Sequence, residues 1–219
     1  MDFKKYQHVE RIGTAETEGL LDGLVHVFYK IDGTNGSIWL DDGLLRMGSR
    51  NREISIENDN AGMMRDIAGG GLNDALVNLL SDTGWRLYGE WLVPHSLKTY
   101  RQDASRQFYV FDVMVGDEYV EYEEYQPLLE YHGIQYIPPI CTIKNPSEEM
   151  LFKALEKCGE FLVEDGKGKG EGVVIKNYCY RNRFGRQTWG KITTTEFKEK
   201  HNREMGAPVV NATLMVEDR

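Results

Sequence analysis

Three observations predict a mixed α+β fold built on antiparallel sheets. Runs rich in β-branched and aromatic residues alternate with helical stretches, without the regular β-α-β period of a doubly wound sheet. No internal repeat, heptad run or low-complexity segment is present. The 219 residues suit one large domain or one and a half, and can bury a core without disulfide or metal staples.

Residues 24–40 and 44–50 read as strands around a tight turn. Asp59 to Leu80 reads as helical pieces broken at Gly69-Gly70-Gly71, with Leu72, Leu76, Leu79 and Leu80 at helical spacing. The second piece begins at those glycines or at Asn73. Trp85 to Val93 and Phe108 to Val115 have strand composition. Pro138-Pro139 punctuates a loop. Ser147 to Val163 reads as a helix capped by Ser147, with Met150, Leu151, Leu155, Phe161 and Leu162 on its apolar face. Gly166 to Gly170 is a glycine-rich turn and Gly172 to Lys176 a short buried strand. A helix is expected over Thr194 to Met205. Gly206 onward gives no element, and no break in composition marks a second domain.

The apolar fraction (41%) and charged fraction (28%) are those of an ordinary soluble protein. No apolar run approaches a membrane span, and Met1-Asp2-Phe3-Lys4-Lys5-Tyr6 lacks the apolar core of a signal peptide. Cys141, Cys158 and Cys179 are too few and too widely spaced for a disulfide framework or a thiolate zinc site. A reducing, cytoplasmic setting is therefore expected. The five histidines are dispersed.

Net charge is −9, which argues against holding nucleic acid by bulk charge. Residues 176 to 203 depart from that balance. They carry Lys176, Arg181, Arg183, Arg186, Lys191, Lys198, Lys200 and Arg203 against Glu196 and Glu199, a local net of +6 that leaves −15 for the remainder. Such a basic face on an acidic body suits an enzyme that grips phosphates at one site, or is a solvated basic surface.

Lys30-Ile31-Asp32-Gly33-Thr34-Asn35 follows the apolar run Leu24 to Tyr29 and precedes a second run, Gly36 to Leu40. A lysine stands there at a strand end, beside a turn that lets a phosphate come close. Alone, the same residues make a hairpin with an Asp-Gly turn and a solvated lysine nearby. Five further segments follow in order: Gly48-Ser49-Arg50, Tyr88-Gly89-Glu90-Trp91-Leu92, Phe108-Tyr109-Val110-Phe111-Asp112-Val113, Glu171-Gly172-Val173-Val174-Ile175-Lys176 and Trp189-Gly190-Lys191-Ile192.

Together these segments resemble the ordered motifs of the covalent nucleotidyltransferases, which comprise DNA ligases, RNA ligases and mRNA capping enzymes. DNA ligases and capping enzymes usually carry arginine two residues after the motif glycine. Gly33-Thr34-Asn35 is instead similar to the RNA ligase 2-like branch of RNA ligases. The resemblance implies an adenylyltransferase domain of two antiparallel sheets with flanking helices and the nucleotide held between them. It assigns residues 1–205 to that domain and 206–219 to a C-terminal tail. An oligonucleotide-binding barrel is not expected, since 27 residues follow Ile192.

The resemblance also implies roles. Lys30 is the nucleophile, and Lys191 contacts the α-phosphate. Ile31, Asn35, Arg50, Glu90, Phe111, Lys176 and Lys191 form the nucleotide-binding set. In that set Arg50 faces a phosphate, Glu90 serves the ribose and metal, and Phe111 stacks on the base. Glu171 and Glu90 are the metal ligands. ATP, with AMP as a covalent intermediate, and Mg2+ or Mn2+ are the implied cofactors. RNA ends, nicked or single-stranded, are the implied partners, with a partner protein as a further source of end-binding surface and no membrane.

Two positions depart from the family pattern. Tyr29 stands where many relatives have glutamate, and Trp189 where many have the first of two lysines. Lys176 and Arg186 are candidates to supply the missing charge. The departures allow one alternative, a nucleotide- or RNA-end-binding protein impaired in catalysis. The enzyme alternative is a DNA ligase adenylation domain or a guanylyltransferase, and Asn35 and the short stretch after Ile192 speak against both.

Overall fold

Alternation along each strand decides which side chains reach a core. In the computed structural model, which describes residues 1–93, 98–195 and 202–203, that alternation produces two sheets. In chain order the strands and helices are β1 (Glu10–Arg11), β2 (Leu24–Lys30), β3 (Thr34–Asp41), β4 (Leu44–Gly48), α1 (Met63–Ala68), α2 (Leu72–Thr83) and β5 (Arg86–Trp91). They continue with β6 (Phe108–Val115), β7 (Glu118–Tyr119), α3 (Tyr122–Tyr131), β8 (Pro139–Lys144), α4 (Glu148–Glu156), β9 (Gly172–Lys176) and β10 (Gly190–Thr193). The mixed α+β class, two sheets with flanking helices, is the one expected.

The chain divides into two compact units. The first comprises Met1–Tyr6, Gly33–Val93 and Ser105–Ile137. Its sheet has the order β4-β3-β5-β6-β7, antiparallel throughout. Ile38, Leu87, Val110 and Val113 form a core with Ile67, Leu76, Leu79 and Leu80 of α1 and α2 and with Tyr125 and Leu129 of α3. The N-terminal residues strap across Trp39, Arg86, Tyr88 and Asp112. Trp39 Nε1 donates to Met1 O, Arg86 Nη2 to Asp2 O, and the Tyr88 hydroxyl to Lys4 O. The Tyr6 hydroxyl donates to the Asp112 carboxylate. Burial pushes the Tyr88 pKa up to about 12.

The second unit comprises Gln7–Asp32, Pro94–Ala104 and Pro138–Arg219. Its sheet has the order β1-β10-β9-β2-β8, antiparallel except for the parallel edge pair β1 and β10. Val25, Val27, Val173, Ile175 and Ile192 form its core with Leu151 and Leu155 of α4. Ser147 caps α4, its hydroxyl accepting from Met150 N at 3.3 Å.

Two expectations and one alternative reading need correction. The helix expected over Ser147 to Val163 ends at Glu156, so Phe161 and Leu162 lie beyond it. Leu162 adopts φ +68°, and Val163 bridges Tyr100. Pairing with a distant segment therefore replaces the final turns. Pro139 opens β8 rather than lying in a loop. An edge strand tolerates proline at its first residue, because the missing N–H leaves no ladder bond broken. Finally, β2 and β3 do not form a hairpin: β2 pairs with β8 and β9, whereas β3 pairs with β4 and β5. The helix expected over Thr194 to Met205 lies outside the described residues except at 194, 195, 202 and 203, and the segment 206–219 lies wholly outside them.

Candidate active site

In the second unit, strand register collects the lysines. Lys30 of β2 stands opposite Gly172 of β9, Phe28 opposite Val174 and His26 opposite Lys176. Lys191 of β10 also pairs with Val174. Alternation thus puts Lys30, Lys176 and Lys191 on one face of the sheet, the face opposite the apolar core.

Glu171, the residue before β9, completes this group. Lys30 Nζ donates to Glu171 Oε1 at 2.5 Å. The Lys30 side chain keeps 26% of its exposure, and that of Glu171 keeps 8%. Burial raises the Glu171 pKa; the nearby Lys30 opposes this, and Asp32 adds to it. Burial is thus the largest influence on this carboxyl, ahead of its pairing with Lys30. Gly172 beside it has φ +154°, and a Cβ there would lie 2.1 Å from Ile192 O. Glycine alone allows β10 to approach the strand at that point.

Lys176 is buried, with Nζ 4.4 Å from the centroid of the Phe28 ring and 5.8 Å from that of Trp189. Trp189 is itself fully buried and meets Tyr178 edge-on at 5.4 Å. The position where many relatives have lysine is thus a packed aromatic wall beside a cation. Tyr29 stacks on Phe161 at 5.2 Å, and burial raises its pKa, with Glu160 adding to the effect. The Arg186 Nη2 donates to His8 O and Thr188 Oγ1. Ile31 is buried.

Tyr100 also touches this site, and the sequence does not reveal it. Its hydroxyl accepts from the Asp32 amide at 2.8 Å, which fixes the backbone just after Lys30. The two residues are 68 positions apart and belong to no shared motif.

The first unit holds the other expected residues. Glu90 stands opposite Asn35 in the sheet, and its Oε1 accepts from the Gly33 amide at 3.2 Å. A Cβ on Gly33 would lie 2.4 Å from Trp91 O, so glycine lets the turn lie against β5. The Asn35 carbonyl accepts from Asn60 Nδ2 at 3.2 Å. Phe111 is the extra residue of a β-bulge, since Tyr88 faces Asp112 and Gly89 faces Val110. Its ring meets Tyr6 edge-on at 5.0 Å. Arg50 is exposed on the bend after β4.

Among the described residues, no group of three or more His, Cys, Asp or Glu side chains forms a cation cage. The donors present still suit a hard dication, which binds through one or two carboxylates and substrate phosphates and keeps several waters. Glu171 is a buried carboxyl of the chemical type such an ion takes.

A family model for RNA ligases matches residues 23–193, a span from the start of β2 to the end of β10. The chain belongs to the RNA ligase family.

Solved structures share the RNA ligase fold. Naegleria gruberi RNA ligase, in a mutant with ATP and manganese, matches with a TM-score of 0.67 and 19% identity, covering 91% of this chain and 58% of that one. Another mutant of that ligase, with AMP and manganese, gives a TM-score of 0.63 at 18% identity, over 91% of this chain and 58% of that one. A putative ATP-dependent DNA ligase from Aquifex aeolicus gives 0.62 at 19% identity, over 94% of this chain and 55% of that one. The chain thus spans less than two thirds of these proteins' length. No curated protein matches the sequence. No helix among the described residues is long and apolar enough to cross a membrane.

Proposed function

We propose that this chain is an ATP-dependent RNA ligase acting through a lysyl-AMP intermediate. The observation that carries the proposal is the Lys30–Glu171 pair, at 2.5 Å, with Lys176 and Lys191 on the same sheet face. The family match and the ATP, AMP and manganese complexes of the Naegleria ligase support it.

In the first step Lys30 Nζ, having released its proton to water, attacks the α-phosphate of ATP. A nitrogen–phosphorus bond forms, the bond to the bridging oxygen breaks, and pyrophosphate leaves. In the second step AMP passes to the 5′-phosphate of an RNA end. In the third, a 3′-hydroxyl attacks that phosphate, the strand is sealed and AMP departs.

A free lysine has a pKa of about 10.4 and is mostly protonated at neutral pH. Lys176 and Lys191 on the same sheet face act against its charged form, and the Glu171 carboxylate at 2.5 Å acts for it. Lys191 supplies fixed positive charge toward the phosphates, and Arg50 is the first unit's candidate for the same role. Asn35 orients phosphates or the RNA end. Phe111 offers an aromatic face to adenine, and Ile31 lines the nucleotide. Glu171 in the second unit and Glu90 in the first are each a candidate ligand for magnesium or manganese. When bound, the dication counters charge on Glu171 and on the phosphates and so favours neutral Lys30.

A substrate panel tests the proposal: nicked duplex RNA, nicked DNA and single-stranded RNA with ATP, and GTP in place of ATP. Joining of RNA with ATP is expected. Joining confined to DNA would favour a DNA ligase.

A further inference from the structure

We propose that the loop between β9 and β10 is a strand-binding platform for single-stranded RNA. On it, Phe184 stacks a base several nucleotides from the reacting end, while Arg181 and Arg183 contact flanking phosphates. The proposal rests on the RNA ligase reading for the identity of the ligand, though not for the existence of the surface.

The loop is built to display these residues. Asn182 is buried, and its Oδ1 accepts from the amides of Phe184 and Arg186, both at 3.0 Å. The Asn182 amide donates to Arg186 O at 2.9 Å, and the Gly185 amide to Asn182 O at 2.8 Å. Asn182 Nδ2 donates to Glu16 O, and the Tyr180 hydroxyl to Glu18 O at 2.7 Å. Arg186 ties the far side to His8 O. Phe184, by contrast, is 64% exposed, and the Arg183 guanidinium lies 5.0 Å from its ring centroid. Arg181 and Arg183 are exposed.

A lone exposed phenylalanine needs no explanation. Here it is paired with a guanidinium on a turn fixed by its own hydrogen bonds, so little ordering is lost on binding. Residues 181–186 hold three arginines and no carboxylate in a chain of net charge −9. Basic side chains interleaved with an aromatic ring bind unpaired strands by phosphate contact and base stacking.

The loop's place sets its reach. Lys30 stands at the Gly172 end of β9, and the loop leaves from the Lys176 end. A five-residue strand is about 13 Å between its end residues. The platform would therefore meet RNA beyond its terminal nucleotides, and short oligonucleotides would not reach it.

The test uses the full chain and fluorescent 5′-phosphorylated single-stranded RNA of about 12 or about 3 nucleotides, lengths set by that reach. Binding is read by anisotropy, and adenylylation of the protein is measured separately. Phe184→Ala and Arg183→Ala should each weaken binding of the longer RNA about tenfold and leave the shorter one and self-adenylylation unchanged. Phe184→Trp should retain binding. Unchanged affinity for the longer RNA, or equal loss for both lengths, would overturn the platform. Absence of a wild-type AMP adduct, with the length-dependent loss intact, would overturn the ligase reading and leave the platform standing.

Discussion

Lys30 and Glu171 are separated by 141 residues and meet at 2.5 Å, because β2 and β9 run antiparallel with Lys30 opposite Gly172. This one register places an ammonium against a buried carboxyl at a strand end. It also gives the lysine a counter-charge.

The pH dependence of stability follows from that pair. Burial holds the Glu171 pKa above the glutamate value of 4.5. The folded state thus prefers the protonated acid, and stability is lost as pH rises from the usual carboxylate range through the raised value. Without ligand, Glu171→Gln should gain on the wild type as pH climbs from about 4 to 8. Urea midpoints across that range check this. A gap widening in favour of the wild type would mean that Lys30 more than offsets the burial.

Gly172→Ala should cost about 3 kcal/mol or more. The backbone has φ +154°, and the new methyl would meet Ile192 O at 2.1 Å. Chemical denaturation would report the loss. A cost below about 1 kcal/mol would show that β10 can move aside.

Tyr100→Phe removes the acceptor for the Asp32 amide. A stability cost of about 1 kcal/mol is expected. Formation of the AMP adduct should slow about tenfold through misplacement of Lys30, with a smaller change in ATP affinity. Single-turnover labelling beside nucleotide binding separates the two. Equal loss in both would assign Tyr100 to binding.

Ser147→Ala should lower stability by about 1 kcal/mol, because the side chain satisfies the Met150 amide. The midpoint of denaturation is the readout, and Ser147→Asp should restore it.

Local signals were legible in the sequence where local physics decides them. The Gly69–Gly71 break between α1 and α2, the Ser147 cap and the β-branched strands are of this kind. The ordered motifs identified the family. Tertiary decisions were less visible. In α3, Pro127 interrupts the helical signal inside the helix itself. β8 opens on a proline, and the far end of α4 gives way to the Tyr100–Val163 bridge. The nucleophile candidate Lys30 and the metal-ligand candidate Glu171 were named from motifs, but their direct pairing depends on strand register. Tyr100 carries no local mark at all.

The most direct test of the account is labelling with ATP radioactive at the α-phosphate. Wild type and Lys30→Ala are incubated with and without magnesium, then denatured, and intact mass is checked for AMP already bound. The expected result is a magnesium-dependent adduct, labile to acid and stable to alkali, on the wild type alone. A covalent AMP on Lys30→Ala would contradict the assignment of the nucleophile. A wild type that neither takes label nor carries AMP would contradict lysyl-AMP chemistry and favour a binding protein.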